Sequence, residues 1–545
     1  MSIWKRKPLS QLLEEASESE KGLKKTLTAP GLVALGVGAI IGAGLFSITG
    51  LAASTNAGPA ITISFMVAAF GCIFAGLCYA EFSSMIPVAG SAYTYSFATM
   101  GEFVAWIIGW DLVLEYAVAA ATVSISWSRY LGKFLGGYGI HIDDAYMLSP
   151  FEGGVINLPA VLIVIVMSLV LMRGTRESAF VNGIIVLLKV TVVLVFIAVG
   201  WQYIRPENYT PYIPKNTGTF GEFGFSGIIR AAAIVFFAYI GFDAVSTAAQ
   251  EAKNPKRDMP IGILLSLGIC TVLYVLFAHV LTGVVNYQAF AGKDGIAPVA
   301  IAVEAMGPMG VNGMITPAYP WLNNAILLAI LGGYVSVILV MLMGQSRVFF
   351  SMSKDGLMPK VFSEVHSKFR TPAKNNLLFM IIVSLFAAFV PARVVGEMTS
   401  IGTLFAFILV CIGVLIMRKK MPDAPRSFRT PFVPFVPIAG VLVCLFMMVF
   451  LPLDTWIRLI VWMMIGFDLY LFYGMKNSIL NKGNFSLNSF KVVAGSGLGM
   501  VLALIVVAFV HHMDPELEDN FLFYFSLIFA ALHAMIYAYS YKKSR

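Results

Sequence analysis

Charge is what this sequence has least of. Only 12% of its 545 residues are Asp, Glu, Lys or Arg, against roughly 25% in an ordinary soluble chain. With 59% hydrophobic residues, it cannot build the polar surface a water-soluble fold needs. Metal-binding and catalytic patterns are missing too. The five cysteines (Cys72, Cys78, Cys270, Cys411, Cys444) all lie in apolar runs without ligand spacing, and a buried free Cys behaves as a small hydrophobe. The six histidines are scattered, and no nucleophile–base pair stands out, so neither a metal, a cofactor nor an enzyme is predicted. No G-x-x-x-x-G-K-[ST] loop is present, which excludes ATP-driven transport within this chain. The longest non-membrane stretches are 1–28 and 285–321. They are too short for a ligand-binding ectodomain or a separate catalytic domain. A repeated pore element with a selectivity ring, as a channel requires, is also missing.

What the chain does have is long apolar runs, each sufficient to cross a hydrocarbon core of about 30 Å. Fourteen are read, at 29–53, 57–80, 103–128, 157–172, 180–204, 226–249, 260–284, 322–346, 375–391, 395–417, 434–452, 455–474, 491–511 and 520–540. The first is too long for a secretory signal and has a polar segment ahead of it. With the N-terminus inside, alternate loops hold 28 of the 37 basic residues, and the opposite side holds eight. The positive-inside rule then puts both termini in the cytosol of a multi-pass cell-membrane protein. The net charge of +8 follows from that topology and calls for no nucleic-acid partner. Residues 1–28 are expected to form a short cytosolic segment on the inner membrane surface. Asn208, in "NYT", is a weak glycosylation motif and carries no argument.

Two runs are interrupted. The first contains "GVGAIIGAGLF" (36–46), and the sixth, five runs later, contains "FFAYIGFDAVST" (236–247). Gly38-x-x-x-Gly42 alone reads equally as a helix-packing motif or as a break. A phosphate loop fails, because no strand precedes it. A matching break at the corresponding place in a second half favours unwinding, the pattern of inverted-repeat transporters. The predicted break lies near Ile40–Gly44, where freed N–H groups and the helix dipole can hold a carboxylate. Five runs per repeat put the halves at 29–205 and 226–417, followed by 434–474 and 491–540.

Three intramembrane charges stand out. Lys189 sits about nine residues into its run, where a charge is expensive and snorkelling to the surface is out of reach. It is read as a group that gains and loses a proton during transport. Glu115 either faces a substrate cavity or pairs with Lys189 or a backbone amide. Asp243 is read as a cap on backbone freed by the sixth-run break, in preference to a substrate contact. For Glu81 and Arg230, near run ends, the bland reading suffices.

The stretches "GVGAIIGAGLF", "YAEFSSMIPVAGSAYTYSF", "GWDLVLEY", "FFAYIGFDAVSTAAQEAKNPKRDMPIGI", "GQSRVFFSMSKDGLMPK" and "IGTLFAF" together resemble the amino acid–polyamine–organocation permeases. The similarity is to the bacterial relatives of cationic amino acid transporters and covers roughly residues 25–475. It implies an all-α LeuT-like 5+5 inverted repeat with discontinuous helices 1 and 6 and about 14 spans. It also implies a substrate site at Ile40, Ile41, Gly42, Ala43 and Gly44, whose backbone takes the amino acid's carboxylate. Carbonyls around Phe237, Ala238 and Ile240 take the ammonium, with Phe237 as a lid. Met341 walls the side-chain pocket, and Lys189 stands where a coupling sodium binds in other members. Ala43 replaces a hydroxyl found in some relatives, which leaves recognition to backbone groups. Apart from Glu115 no acidic side chain marks the pocket. The expected activity is therefore proton-coupled, sodium-independent symport of a small neutral L-amino acid such as alanine. A cationic amino acid (arginine or lysine) transporter or exchanger is the alternative. Free amino acid and proton are the transported species, membrane lipid is the surroundings, and an accessory membrane subunit is neither required nor excluded.

Overall fold

The computed structural model describes residues 2–8, 10–12, 14, 27–86, 91–173, 179–247, 252–292, 297–308, 316–369, 371–481, 486–513 and 520–543. Most of the expected N-terminal segment lies outside these residues. The described residues contain fourteen spans, here α1–α14. The first two share one continuous helical stretch, Ala29–Met85, and four others are short apolar helices of 16 or 17 residues. They are α1 (Ala29–Ile40, resuming as Gly44–Ala57), α2 (Ile61–Met85), α3 (Glu102–Gly136), α4 (Leu158–Arg173) and α5 (Ala179–Gly200). Next come α6 (Gly224–Tyr239, resuming at Ala244–Thr247), α7 (Pro255–Val284), α8 (Pro320–Lys354), α9 (Ala373–Phe389) and α10 (Ala392–Lys420). The last four are α11 (Phe435–Phe450), α12 (Leu453–Leu469), α13 (Leu487–His512) and α14 (Asn520–Lys543). Proline opens or immediately precedes α7, α8, α9, α10 and α12. There its missing N–H is no loss and its fixed φ suits the first turn.

Packing follows the order in the chain. α2 lies on α7, α3 on α8 and α4 on α9, and the break of α1 meets the break of α6. α1 to α4 thus each meet the helix five places later, as in a 5+5 inverted repeat, while α5 packs on α1, α7 and α8. α11 covers α10 and α2, while α12 covers α10 and α3. The α3–α12 seam is fixed by stacked Trp110 and Trp462, 4.4 Å apart, whose indole N–H groups each donate to the other residue's carbonyl (2.8 and 3.0 Å). α13 and α14 pair with each other and dock on α12, where His533 meets Asp468 at 2.9 Å and the Tyr537 hydroxyl donates to the Met464 carbonyl. Large apolar side chains on the outer faces of α4, α9, α13 and α14, such as Leu162, Leu385, Val506 and Ile528, are exposed. This is the surface a membrane's acyl chains cover.

Three details differ from the sequence reading. α3 and α8 run to 35 residues each, beyond the apolar runs, because their polar ends stay helical past the hydrocarbon. The stretches 86–102 and 285–321 are not plain loops: Ser91–Thr99 is a wholly buried helix, and Pro298–Glu304 buries five of its seven residues. Both are too short to register as apolar runs. Residues 2–8 pack on the protein itself. Ile3 and Lys5 accept from the amides of Phe103 and Glu102 (both 3.1 Å), and Lys7 pairs with Asp355 at 2.9 Å.

Candidate functional site at two broken helices

In α1 the last helical hydrogen bond runs from the Ile41 amide to the Val37 carbonyl (2.9 Å), and Ile41 then turns extended (φ −71°, ψ 105°). The chain restarts with Leu45 and Phe46 donating to the Gly42 carbonyl (3.2 and 3.1 Å), in wide π-type turns. The amides of Gly42, Ala43 and Gly44 therefore stand ahead of the second half's first backbone bond, at the positive end of its dipole. Upstream, the break takes the helical partners from the carbonyls of Gly38, Ala39 and Ile40. The protein supplies others. Lys189 Nζ, on α5, donates to the Gly38 carbonyl at 2.8 Å, and the Tyr274 hydroxyl, on α7, donates to the Ile40 carbonyl at 2.8 Å.

α6 narrows to a 3₁₀ turn at Phe236–Tyr239 and leaves the helix at Ile240 (φ −59°, ψ 136°) and Gly241 (φ +117°). A side chain at Gly241 would strain that φ and would place its Cβ 2.8 Å from the Ala39 carbonyl. The two breaks touch at Gly44, where a Cβ would fall 2.2 Å from Ala238 Cα. Glycine there is a condition of the contact. Tyr274 also lies 2.9 Å from the Ala238 carbonyl, so one hydroxyl links the exposed ends of both helices. Of the carbonyls expected to take an ammonium, that of Phe237 accepts from the Ile240 amide (3.2 Å) and that of Ala238 faces Tyr274.

α8 lines the other side. Gly333 packs on the Lys189 stem, the Tyr334 hydroxyl meets Ser47 Oγ at 2.8 Å, and Val337 lies against Gly42. Met341 follows Val337 by one turn on the same face and is buried. Ile40, Ile41, Ala43, Glu115, Phe237, Ala238, Ile240 and Lys189 are buried as well, so the site is closed to both surfaces.

Glu115 does not pair with Lys189. Neither of its oxygens has a hydrogen-bond partner, and neither do those of Asp111 one turn away. Asp243 accepts from the Gly241 amide (3.2 Å) and the Tyr116 hydroxyl (3.0 Å), in agreement with its reading as a cap. Glu81 is tied to Arg418 (2.8 Å) and Arg426 (3.1 Å), and the five cysteines are free and buried. Sequence reasoning missed Tyr274, since a lone tyrosine in an apolar run reads as packing. It also passed over Asp111, although the i, i+4 spacing to Glu115 was a signal.

A multi-pass helical protein with a closed site between two unwound helices belongs to the class of carriers. The amino acid permease family model matches residues 27–467, and the chain belongs to that family. Branched-chain amino acid permease BcaP of Bacillus subtilis is 45% identical over 88% of this chain and 99% of its own length. The methylthioribose transporter of the same organism is 42% identical over 88% and 100%. Cationic amino acid transporter 4, vacuolar, of Arabidopsis thaliana is 28% identical over 88% and 96%. The chain is a membrane permease for amino acids and not an enzyme.

Proposed function

We propose that this permease is a secondary active, proton-coupled and sodium-independent symporter of a neutral aliphatic L-amino acid. Both termini are cytosolic in the cell membrane, and the units 29–205 and 226–417 move against each other around the site. The observation that carries the reading is the meeting of the two breaks at Gly44 and Ala238. It supports a reading in which the amides at Gly42–Gly44 take a carboxylate and the backbone at Phe237–Ile240 takes an ammonium. Lys189 supports sodium independence: its Nζ occupies the space between α1, α5 and α8, so a protein cation stands where a metal ion would otherwise be needed. Buried Met341 and Phe237 support a short side chain, alanine first. The 45% identical branched-chain permease extends the set to valine, leucine and isoleucine.

Uptake into proteoliposomes with imposed pH and sodium gradients, competed by unlabelled Ala, Val, Leu, Ile, Arg and Lys, tests the proposal. Acid-outside conditions should drive accumulation without sodium, and the neutral amino acids should compete. The second reading is arginine or lysine transport, favoured by the unpartnered Glu115 carboxyl. Competition by Arg and Lys alone would select it.

A further inference from the structure

Asp111 and Glu115 share a face of α3, are 0% and 1% exposed, and leave all four carboxyl oxygens without a hydrogen-bond partner. Among the described residues, no side chain is placed as a hydrogen-bond donor to either carboxyl. On α10, Gly402 packs against both residues, a Cβ there lying 3.3 Å from Asp111 Oδ1. Thr403, beside Glu115, gives its own hydroxyl proton to the Thr399 carbonyl (2.9 Å). On α8, Gln345 donates to the Val113 carbonyl (3.0 Å), and its Oε1 is buried without a partner. Tyr116 donates to Asp243, the nearest other carboxylate, and Lys189 is held at Gly38. A carboxylate without donor or cation is heavily penalised in a low dielectric. A carboxylic acid is not, because it brings its own proton and can donate it to an acceptor such as Thr403 Oγ1.

A second set of unpartnered groups continues from this pair. The Tyr79 hydroxyl on α2 is within electrostatic range of Glu115 and Asp243, and the Tyr95 hydroxyl of the Ser91–Thr99 helix lies beside Ser246 and within range of Asp243. The hydroxyls of Tyr79, Tyr95 and Ser246 are all buried without a hydrogen-bond partner. Tyr95 belongs to the helix on which residues 2–8 dock, the Lys7 amide donating to the Phe97 carbonyl (3.2 Å). Asp243 stands between, supplied with two donors and thus suited to the ionised form.

We propose that Asp111 and Glu115 form the proton-loading site of this transporter, and that Asp243, Tyr79, Tyr95 and Ser246 carry the proton onward to the cytosolic face. In the step, the acid O–H of Glu115 breaks as its proton passes to the Asp243 carboxylate. Glu115 is left as the anion and Asp243 as the acid, which then releases its proton through the hydroxyls to water. Nothing is oxidised or reduced. The inference rests on the proton-coupled reading above, but it assigns the carrier to carboxyls instead of Lys189.

Infrared difference spectra of the purified transporter between acid and alkaline buffer, alongside uptake driven by a pH gradient, test it. Wild type should show a carboxylic-acid carbonyl band, diminished in Asp111→Asn and again in Glu115→Gln but retained in Lys189→Ala. Uptake by the two carboxyl variants should lose its response to the gradient. Asp111→Asn serves alone if Glu115→Gln does not fold. Gradient-driven wild-type uptake with a band untouched by both substitutions overturns the proposal and leaves proton coupling standing. A band erased by added arginine also overturns it, by making the pair a cationic side-chain site. Gradient-indifferent wild-type uptake overturns both readings.

Discussion

Lys189 and the Asp111–Glu115 pair are both buried in the same helical bundle, and they are treated in opposite ways. The lysine ends on a carbonyl that the α1 break set free (2.8 Å). The neighbouring Ile40 carbonyl is likewise met by Tyr274. The carboxyls have no such partner. A group whose partner was released by a chain break contributes to holding that break open. A group without a partner adds nothing to the fold and is there for something else. Structural and functional use of buried charge are thus separable within one site.

The largest expected effect attacks the contact on which the lysine side depends. Gly44→Val pushes a branched side chain into the Ala238 backbone, and both broken helices are hemmed in by the helices packed on them. Substrate binding, measured by thermal-shift with alanine and leucine, should be lost while the protein remains in the membrane fraction. Retained binding would show that the two breaks do not need to touch.

Next come paired substitutions that set the two kinds of charge side by side. Lys189→Met leaves the Gly38 carbonyl buried without a donor, at a cost of about 1–3 kcal/mol, and should lower the melting temperature in detergent. It should also abolish accumulation driven by a proton gradient. Glu115→Met removes a group that has no partner and should leave stability within about 1 kcal/mol of wild type, or raise it, while transport fails. Equal destabilisation by both would erase the difference between the lysine and the carboxyls.

Tyr274→Phe is a finer probe of the satisfied side. One hydroxyl is lost from between the Ile40 and Ala238 carbonyls, so stability should fall by about 1 kcal/mol. Exchange of the α1 and α6 amides with deuterium should rise near residues 40 and 238. Unchanged exchange would mean that the tyrosine packs there without linking the helices. The smallest effect is expected from Met341→Ser, which should shift competition from alanine towards longer side chains with little change in total uptake. An unchanged order among Ala, Leu and Arg would remove Met341 from the pocket.

Much of this was written in the chain order of residue types. The apolar run lengths fixed fourteen spans, since a helix must be apolar for about twenty residues to cross. The glycines of 36–46 and the small, polar patch of 236–247 located both breaks, because the two interruptions fall at corresponding places of two halves. The expense of a mid-membrane charge singled out Lys189. Short buried helices such as Ser91–Thr99 and Pro298–Glu304 were invisible, because their stability comes from neighbours distant in sequence. The tertiary structure alone decided who satisfies whom. Hydrogen-bond partners 151 and 234 residues apart, Lys189 with Gly38 and Tyr274 with Ile40, are chosen by how the helices pack, and no local pattern encodes that choice. The same holds for the carboxyls: the sequence showed two acids a turn apart, and only the packing of α10 against them at Gly402 showed both without a hydrogen-bond partner.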